Sequence, residues 1–484
     1  MSKVLLHRNK PIKNQFSLYL ILAFLIAQPF IDLITSWMTR SQIGSISIGV
    51  VVRAAFMAYV FLYPFRHYGK SASERKWLMR YNIIIAVFSC IIIFLNVFTK
   101  GFAVAFSELK AIVKVIFFPI VGLGLLYIGR NSELRISARL LSFISFLYTV
   151  LMMIATMTRT SYYSYYWQKI GSVGWFYAAN ELGTIISLLL PYVFFCFLSA
   201  GSPCNLIFQA LNILTLIFCI LFLATKAPLL SLILYIGCFV VLYFVWYFKK
   251  IDVKGFRKSI MLIIVTGIIV AVFPFTPSYT IYQSTIHKIF PAVSIKQSDT
   301  VSKSASGEPS SSATSSNGNN SAASEKNSES SNASIVGVKP SVLLSNRDTY
   351  VNTYKEKMKK QNGIHWIFGM GDTTFSKEGK WVEYTVEQDL WDVFFHYGLA
   401  GIIVFFSPFV WVIFNFIKRM CKIRKNIFKS QKLITGFFSI MIGLLIGIIA
   451  GHTMTAPAVA IYLCVGFLFC DQQLCLIENN AIVK

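Results

Sequence analysis

WVEYTVEQDLWDVFFHYGLAG, residues 381–401, decides how the rest of the chain is read. A polar stretch passes here into an apolar helix, and Glu383, Glu387 and Asp389 fall within one or two turns of the boundary. Carboxylates at the edge of a membrane span are costly unless they are paired or used, so they are candidates for a functional site. The plainer alternative is a solvated helix start, where the helix dipole favours acids in the first turn.

Composition says what that helix belongs to. The 484 residues are 56% hydrophobic, 15% aromatic and 13% charged, against about 25% charged in soluble domains, so the chain is expected to be a polytopic membrane protein. Its net charge of +25 is carried by short Lys/Arg clusters between apolar runs. That pattern marks cytoplasmic loops and anionic lipid rather than nucleic acid. The nine cysteines form no CxxC pair and none lies in the large polar segment, which argues against a disulfide framework or a zinc site. No cleaved signal peptide is expected, because the first apolar run continues into a full span.

A span needs roughly 20 apolar residues. Twelve runs qualify: 17–36, 45–65, 81–98, 110–129, 136–157, 176–199, 206–224, 228–248, 259–276, 391–417, 433–451 and 456–475. With alternating helices the N-terminal Lys/Arg, RHYGKSASERKWLMR, GRNSELR, KKIDVKGFRK and KRMCKIRKNIFKSQK share one side. That side is expected to be cytoplasmic, with both termini there.

Three regions follow: a bundle of nine helices over 1–276, a large outer loop over 277–390, and three further helices over 391–484. The fold class is all-α and polytopic, with about twelve transmembrane helices. Residues 297–337 of the loop, rich in Ser and Asn, lack the apolar residues to build a core and are expected to be disordered. Beyond Pro340, Val342, Leu343, Tyr350, Tyr354 and Met358 recur at near-helical spacing. Glycines 363, 369 and 371 then mark turns, and the isolated GMG is read as a turn and no more. This half, 340–390, is the ordered and catalytic part. The chain holds no Walker loop, dinucleotide fingerprint or HExxH.

The alternating topology gives each membrane charge a depth. Asp32, Arg53, Lys110, Lys114, Asn180, Glu181, Lys226 and His452 all fall toward the outer side, which points to a polar cavity open to the exterior. The competing explanation is that each long side chain snorkels to the nearer interface.

Several segments taken in order resemble the superfamily of O-antigen ligases and Wzy-type polysaccharide polymerases. They are QPFIDLITS (28–36), NELGTIISLLLPY (180–192), TKAPLL (225–230), Arg347, IFGMG (367–371), EQDLWDVFFHYGLAG (387–401) and GHTMTAP (451–457). The resemblance implies transfer of oligosaccharide repeat units from a polyprenyl (undecaprenyl) diphosphate carrier to an acceptor hydroxyl. The reaction would take place on the outer face of a bacterial cytoplasmic membrane and build a capsule or exopolysaccharide. It also implies no metal and no cofactor, with lipid-linked oligosaccharides, membrane lipids and other export proteins as partners, and no nucleic acid.

Two positions depart from the ligase pattern: Lys226 stands where an Arg is usual, and Glu387 where a His is usual. In this reading Arg347, Lys226, Arg53 and Lys114 stabilise the diphosphate, His452 is a weaker candidate for the same work, and Glu387 is the base. Glu387 with Glu383 or Asp389 leaves a covalent, retaining route open. His396 and His365 are expected to be structural. Tyr162, Tyr163, Tyr165, Tyr166, Trp167, Trp366 and Trp381 are either sugar-stacking walls or interfacial belt residues. The competing function is a twelve-span secondary transporter or lipid-oligosaccharide flippase, which would bind at the midplane between repeated halves. No internal repeat is visible.

Overall fold

The computed structural model describes residues 15–289 except 45, 68–70, 133 and 253, and residues 347–482 except 376–380, 384–385 and 424–428. The expected disorder of 297–337, and the positions of Val342 and Leu343, lie outside the described residues.

Nine helices come first: α1 (Gln15–Arg40), α2 (Ile48–Arg66), α3 (Ala72–Lys100), α4 (Ala105–Asn131), α5 (Ala138–Met157), α6 (Ala179–Leu198), α7 (Pro203–Leu223), α8 (Lys226–Phe248) and α9 (Gly255–Val272). Among the described residues of the large connection are three shorter ones: α10 (Pro277–Ile289), α11 (Arg347–Lys359) and α12 (Ile364–Phe368). Then come α13 (Asp389–Lys422), α14 (Gln431–Ile449) and α15 (Pro457–Ile482). Twelve of these, α1–α9 and α13–α15, are long and apolar enough to cross a membrane, as the run count predicts. The third is longer than its apolar run because a polar turn from Ala72 precedes it.

The end of the bundle from which α10–α12 project is called here the loop end, and its opposite the basic end. At the basic end α3, α5, α7 and α14 each open on a serine whose Oγ accepts a backbone N–H of the first turn, which satisfies a donor the helix leaves open. The helices α4, α6 and α15 are the most enclosed and form the axis of the bundle. On α4, a Cβ at Gly122, Gly124 or Gly129 would meet Phe409, Val60 or Leu468. Small residues there let neighbouring helices approach.

The all-α expectation needs one addition, a two-stranded antiparallel hairpin in the loop, β1 (Thr373–Phe375) with β2 (Trp381–Glu383). A second difference lies in the opening stretch itself. α13 is broken at Gly398, whose φ of 65° and ψ of −166° are not helical. The segment after α12 fills the break: Met370 N donates to Phe395 O at 2.8 Å and Gly371 N to His396 O at 3.0 Å. A side chain at Gly398 would strike the Ile367 backbone, and one at Gly369 the His396 backbone. The glycines of IFGMG and HYGLAG are therefore where two backbones meet, a function that the turn reading of GMG missed. The same segment is tied to α3 and α4. Asp372 N donates to both oxygens of Glu108, at 3.1 and 3.0 Å, and Glu108 also pairs with Lys100 at 2.9 Å. The first turns of α13 and the loop before it are thus fixed over the bundle.

Candidate active site at the loop end

The residue before the α13 cap, Glu387, has a left-handed backbone with φ 62°. Left-handed geometry is unfavourable for a side chain this long and persists where the surroundings impose it. Two acids of the following turn do so. Asp392 Oδ1 accepts Val386 N at 2.6 Å, tying down the residue on one side of Glu387. Asp389 Oδ2 accepts Thr453 N and Met454 N at 3.0 and 2.7 Å, and its Oδ1 accepts Thr455 Oγ1 at 2.6 Å.

Those bonds draw the α14–α15 link against the Glu387 turn. A Cβ on Gly451 would strike the Glu387 carbonyl, and the next residue, His452, is itself left-handed at φ 59°. Asp389 is fully buried with both oxygens committed. Asp389, named from sequence as a possible partner of Glu387, thus holds the α14–α15 link against the Glu387 turn.

Glu387 remains 45% exposed at its side chain and pairs with Arg347, 11% exposed, at 2.9 Å. Arg347 Nε also approaches the same oxygen at 3.3 Å. These two residues, 40 positions apart, are brought together by the first turn of α11. Arg347 in turn lies close enough to Tyr165, in the α5–α6 link, for its charge to act on that phenol. Burial pushes the Tyr165 pKa up from its ordinary value and Arg347 pulls it back.

Beneath the link lies a cavity of about 180 Å³ whose wall includes Asp32, Arg53, Lys114, Tyr148 and Glu181. Arg53 is ion-paired with Asp32 and donates Nε to Gln28 Oε1 at 3.0 Å, while Tyr148 donates to the other Asp32 oxygen at 2.6 Å. Glu181 projects among His452, Asp32, Arg53 and Lys114, all of whose charges act on it. The α14–α15 link joins the two places, with Gly451 against the Glu387 carbonyl and Ala456 in the cavity wall.

Lys226 stands outside the cavity wall, exposed at the first position of α8. Its neighbour Thr225 packs against α6, with Oγ1 at 3.0 Å from where a Gly183 Cβ would stand. Of the residues named from sequence, Arg53 and Lys114 line the cavity, His452 lies in the α14–α15 link, Arg347 and Glu387 form a pair, and Lys226 stands outside the cavity wall.

Asp32 and Glu181, expected on the outer side with the cations, stand beside Arg53 and Lys114 in the cavity wall and offset their positive charge. The expected concentration of charge at one end is corrected. Asp471, enclosed at the basic end, binds both Arg130 and Arg419.

A family comparison matches residues 13–471 to the O-antigen ligase like membrane proteins. The chain belongs to that family. A search among curated proteins finds no match. Membership in the O-antigen ligase like family makes this a multi-pass membrane protein of the polysaccharide ligase or polymerase kind. His396 is buried, and His365 Nδ1 sits 2.9 Å from Gly369 O. The side chains of Glu383 and Trp381 are not among the described ones.

Sequence reasoning passed over Tyr148, Gln28, Asp392 and the Glu108–Lys100–Asp372 corner. For Asp32 and Glu181 the signal was present, as acids inside apolar runs, but their pairing with cations of other helices carries no mark in a single chain.

Proposed function

We propose that this protein is a glycosyltransferase that joins oligosaccharide repeat units linked to a polyprenyl diphosphate, working as a polymerase on the outer face of a bacterial cytoplasmic membrane. The observation that carries the reading is the Arg347–Glu387 pair at 2.9 Å, held in a left-handed turn beside a polar membrane cavity. In the reaction the acceptor hydroxyl oxygen attacks the anomeric carbon and the carbon–oxygen bond to the diphosphate breaks. The bonding electrons leave with the phosphate, and the hydroxyl proton passes to Glu387, a step commonly worth about 10²–10⁴-fold. Arg347 fixes the Glu387 carboxylate, while Arg53, Lys114 and His452 face the departing diphosphate. Each well-placed donor of that kind is worth about 3 kcal/mol. Because both Asp389 oxygens are committed to the link, Glu383 is left as the named partner of Glu387 for a two-carboxylate route.

Size supports a lipid-linked donor. A cavity of about 180 Å³ is smaller than the roughly 300–1,000 Å³ that encloses a drug-sized ligand, so it suits a diphosphate head and leaves the sugars outside. The stripe Val50, Ala54, Ala58, Phe61 on α2 runs from this cavity into a second, apolar one of about 210 Å³ against α3 and α4. A hydrocarbon tail fits there. Incubating the purified protein with a lipid diphosphate oligosaccharide should give longer glycan chains with free lipid diphosphate. A transporter or flippase would give none, and that result would end the enzymatic reading.

A further inference from the structure

The α5–α6 link, residues 158–178, is a short backbone hairpin and not a slack loop. Tyr162 N donates to Gly174 O at 2.9 Å and Val173 N to Tyr162 O at 2.9 Å. Tyr165 N donates to Ile170 O at 3.0 Å, closing a turn over 166–169. Its root is held to the bundle from two directions and is braced within itself. Ser172 N donates to Phe222 O at 2.8 Å, next to the segment that carries Lys226. Trp175 Nε1 donates to Thr160 Oγ1 at 2.9 Å. The Arg40 guanidinium lies 3.7 Å from the Tyr162 ring centre and donates to the carbonyls of Phe176 and Tyr177 at 3.2 and 3.1 Å.

The hairpin is also part of the site. Phe176, Tyr177 and Ala178 of its returning arm line the polar cavity, and Tyr165 of its outgoing arm lies in the field of Arg347. The tip points the other way, with Trp167 93% and Tyr166 75% exposed. Tyr163, on the strand face shared with Tyr165 by the two-residue period, is exposed as well.

We propose that this hairpin is a glycan-binding arm, with Tyr163, Tyr166 and Trp167 stacking against pyranose rings of the oligosaccharide whose reacting end lies at Arg347 and Glu387. The inference rests on the glycosyltransferase reading and adds the place where the sugar chain lies, which the small cavity cannot hold. Three features support it. Sugar rings present flat C–H faces, which aromatic faces cover at low cost in conformational freedom. A hairpin tied at its root presents its rings already ordered, so little entropy is lost on binding. Interleaved Ser161, Ser164, Gln168 and Lys169 supply hydroxyl partners. An interfacial belt would carry the same aromatics at the lipid headgroups, and brominated lipid tells the two apart.

The test uses the full-length protein in lipid nanodiscs and a lipid-free oligosaccharide cut from the producing cell's own surface polysaccharide. Trp167 emission, taken as wild type minus Trp167→Phe, should change saturably with that oligosaccharide and stay unaffected by brominated lipid. Quenching by brominated lipid without a response to the sugar assigns the tip to the membrane and overturns the proposal. In parallel, Tyr166→Ala with Trp167→Ala should raise the acceptor KM about tenfold and shorten the products, with kcat for a single addition within about twofold. Unchanged KM and product length overturn it too. If the wild type forms no product, the polymerase reading fails, while the fluorescence titration still decides whether the arm binds glycan.

Discussion

At the basic end of the bundle Asp471 receives Arg130 through both carboxylate oxygens, at 2.8 and 2.9 Å, and Arg419 at 2.6 Å. Arg419 reaches on to Glu478 with two bonds of 2.9 Å, and Arg130 to Glu74 at 2.6 Å. At the loop end charges of the same kinds surround a cavity, and Glu387 keeps nearly half its side-chain surface in solvent despite its Arg347 partner. Both ends bring acids and cations together in a membrane protein, where lone charges are costly. The difference lies in what the pairing leaves over. A closed network of bidentate bonds has no capacity for a ligand, so it holds helices together. A network around a cavity, with its acid on a left-handed turn, can exchange one partner for a substrate.

The largest effects should separate the two ends cleanly. Glu387→Gln is expected to lower transfer about 10²–10⁴-fold with the melting temperature unchanged, measured on purified protein with a lipid-linked donor. Arg347→Ala should cost activity on a similar scale. Near-normal turnover in either variant, at normal protein level, removes the pair from the chemistry. Asp471→Ala should do the opposite. It leaves two arginines without their shared acid, at a cost of about 3–5 kcal/mol, while activity per folded molecule stays near wild type. A loss of kcat in well-folded Asp471→Ala protein would mean the two ends are coupled and the contrast drawn here is wrong.

Asp389→Asn sharpens the comparison from between these cases. The amide can keep its oxygen on the N–H groups of Thr453 and Met454 and turn its NH2 to the Thr455 hydroxyl, so the loss is the charge-assisted part of these bonds, about 1 kcal/mol. Because Asp389 also sets the link that bears His452, kcat should fall along with stability. Should stability alone change, the link would be shown to support the fold and not the reaction.

The twelve spans were legible because apolar runs of about 20 residues leave little choice of structure. The Arg347–Glu387 pairing was legible through resemblance, and the geometry brings the two within bonding distance. Other parts were hidden for physical reasons. The break at Gly398 depends on backbone donors from Met370 and Gly371 arriving across the loop, which leaves no periodicity to read. Asp389 lies two residues after Glu387, yet Glu387 stands on a left-handed turn before the cap and Asp389 inside the first helical turn, so one carboxylate meets Arg347 and the other the α14–α15 link. The neutralising role of Asp32 and Glu181 was hidden because depth along a span tells nothing of which helix lies opposite. Asp471 was overlooked because it stands near the end of its run, where a charge reads as solvated.

The smallest effect expected is at Asp252, in the α8–α9 link at the basic end, and it probes whether pairing there is purely structural. Burial acts to raise its pKa, but hydrogen bonds from Lys258 Nζ at 2.8 Å and Gln431 Nε2 at 2.6 Å outweigh it, so the carboxyl lies below its ordinary value. A depressed folded-state value means stability that is fully present above the unfolded pKa, about 4, and is lost as pH falls through the folded one. Partial exposure limits the contribution to under about 1 kcal/mol. Asp252→Asn should therefore melt slightly below wild type at pH 7, and the gap should close as the pH is taken below about 4, with transfer at neutral pH unchanged. A gap that widens on acidification would show that the carboxylate is strained in the folded protein. A change in transfer would show that the closed network reaches the site at the other end.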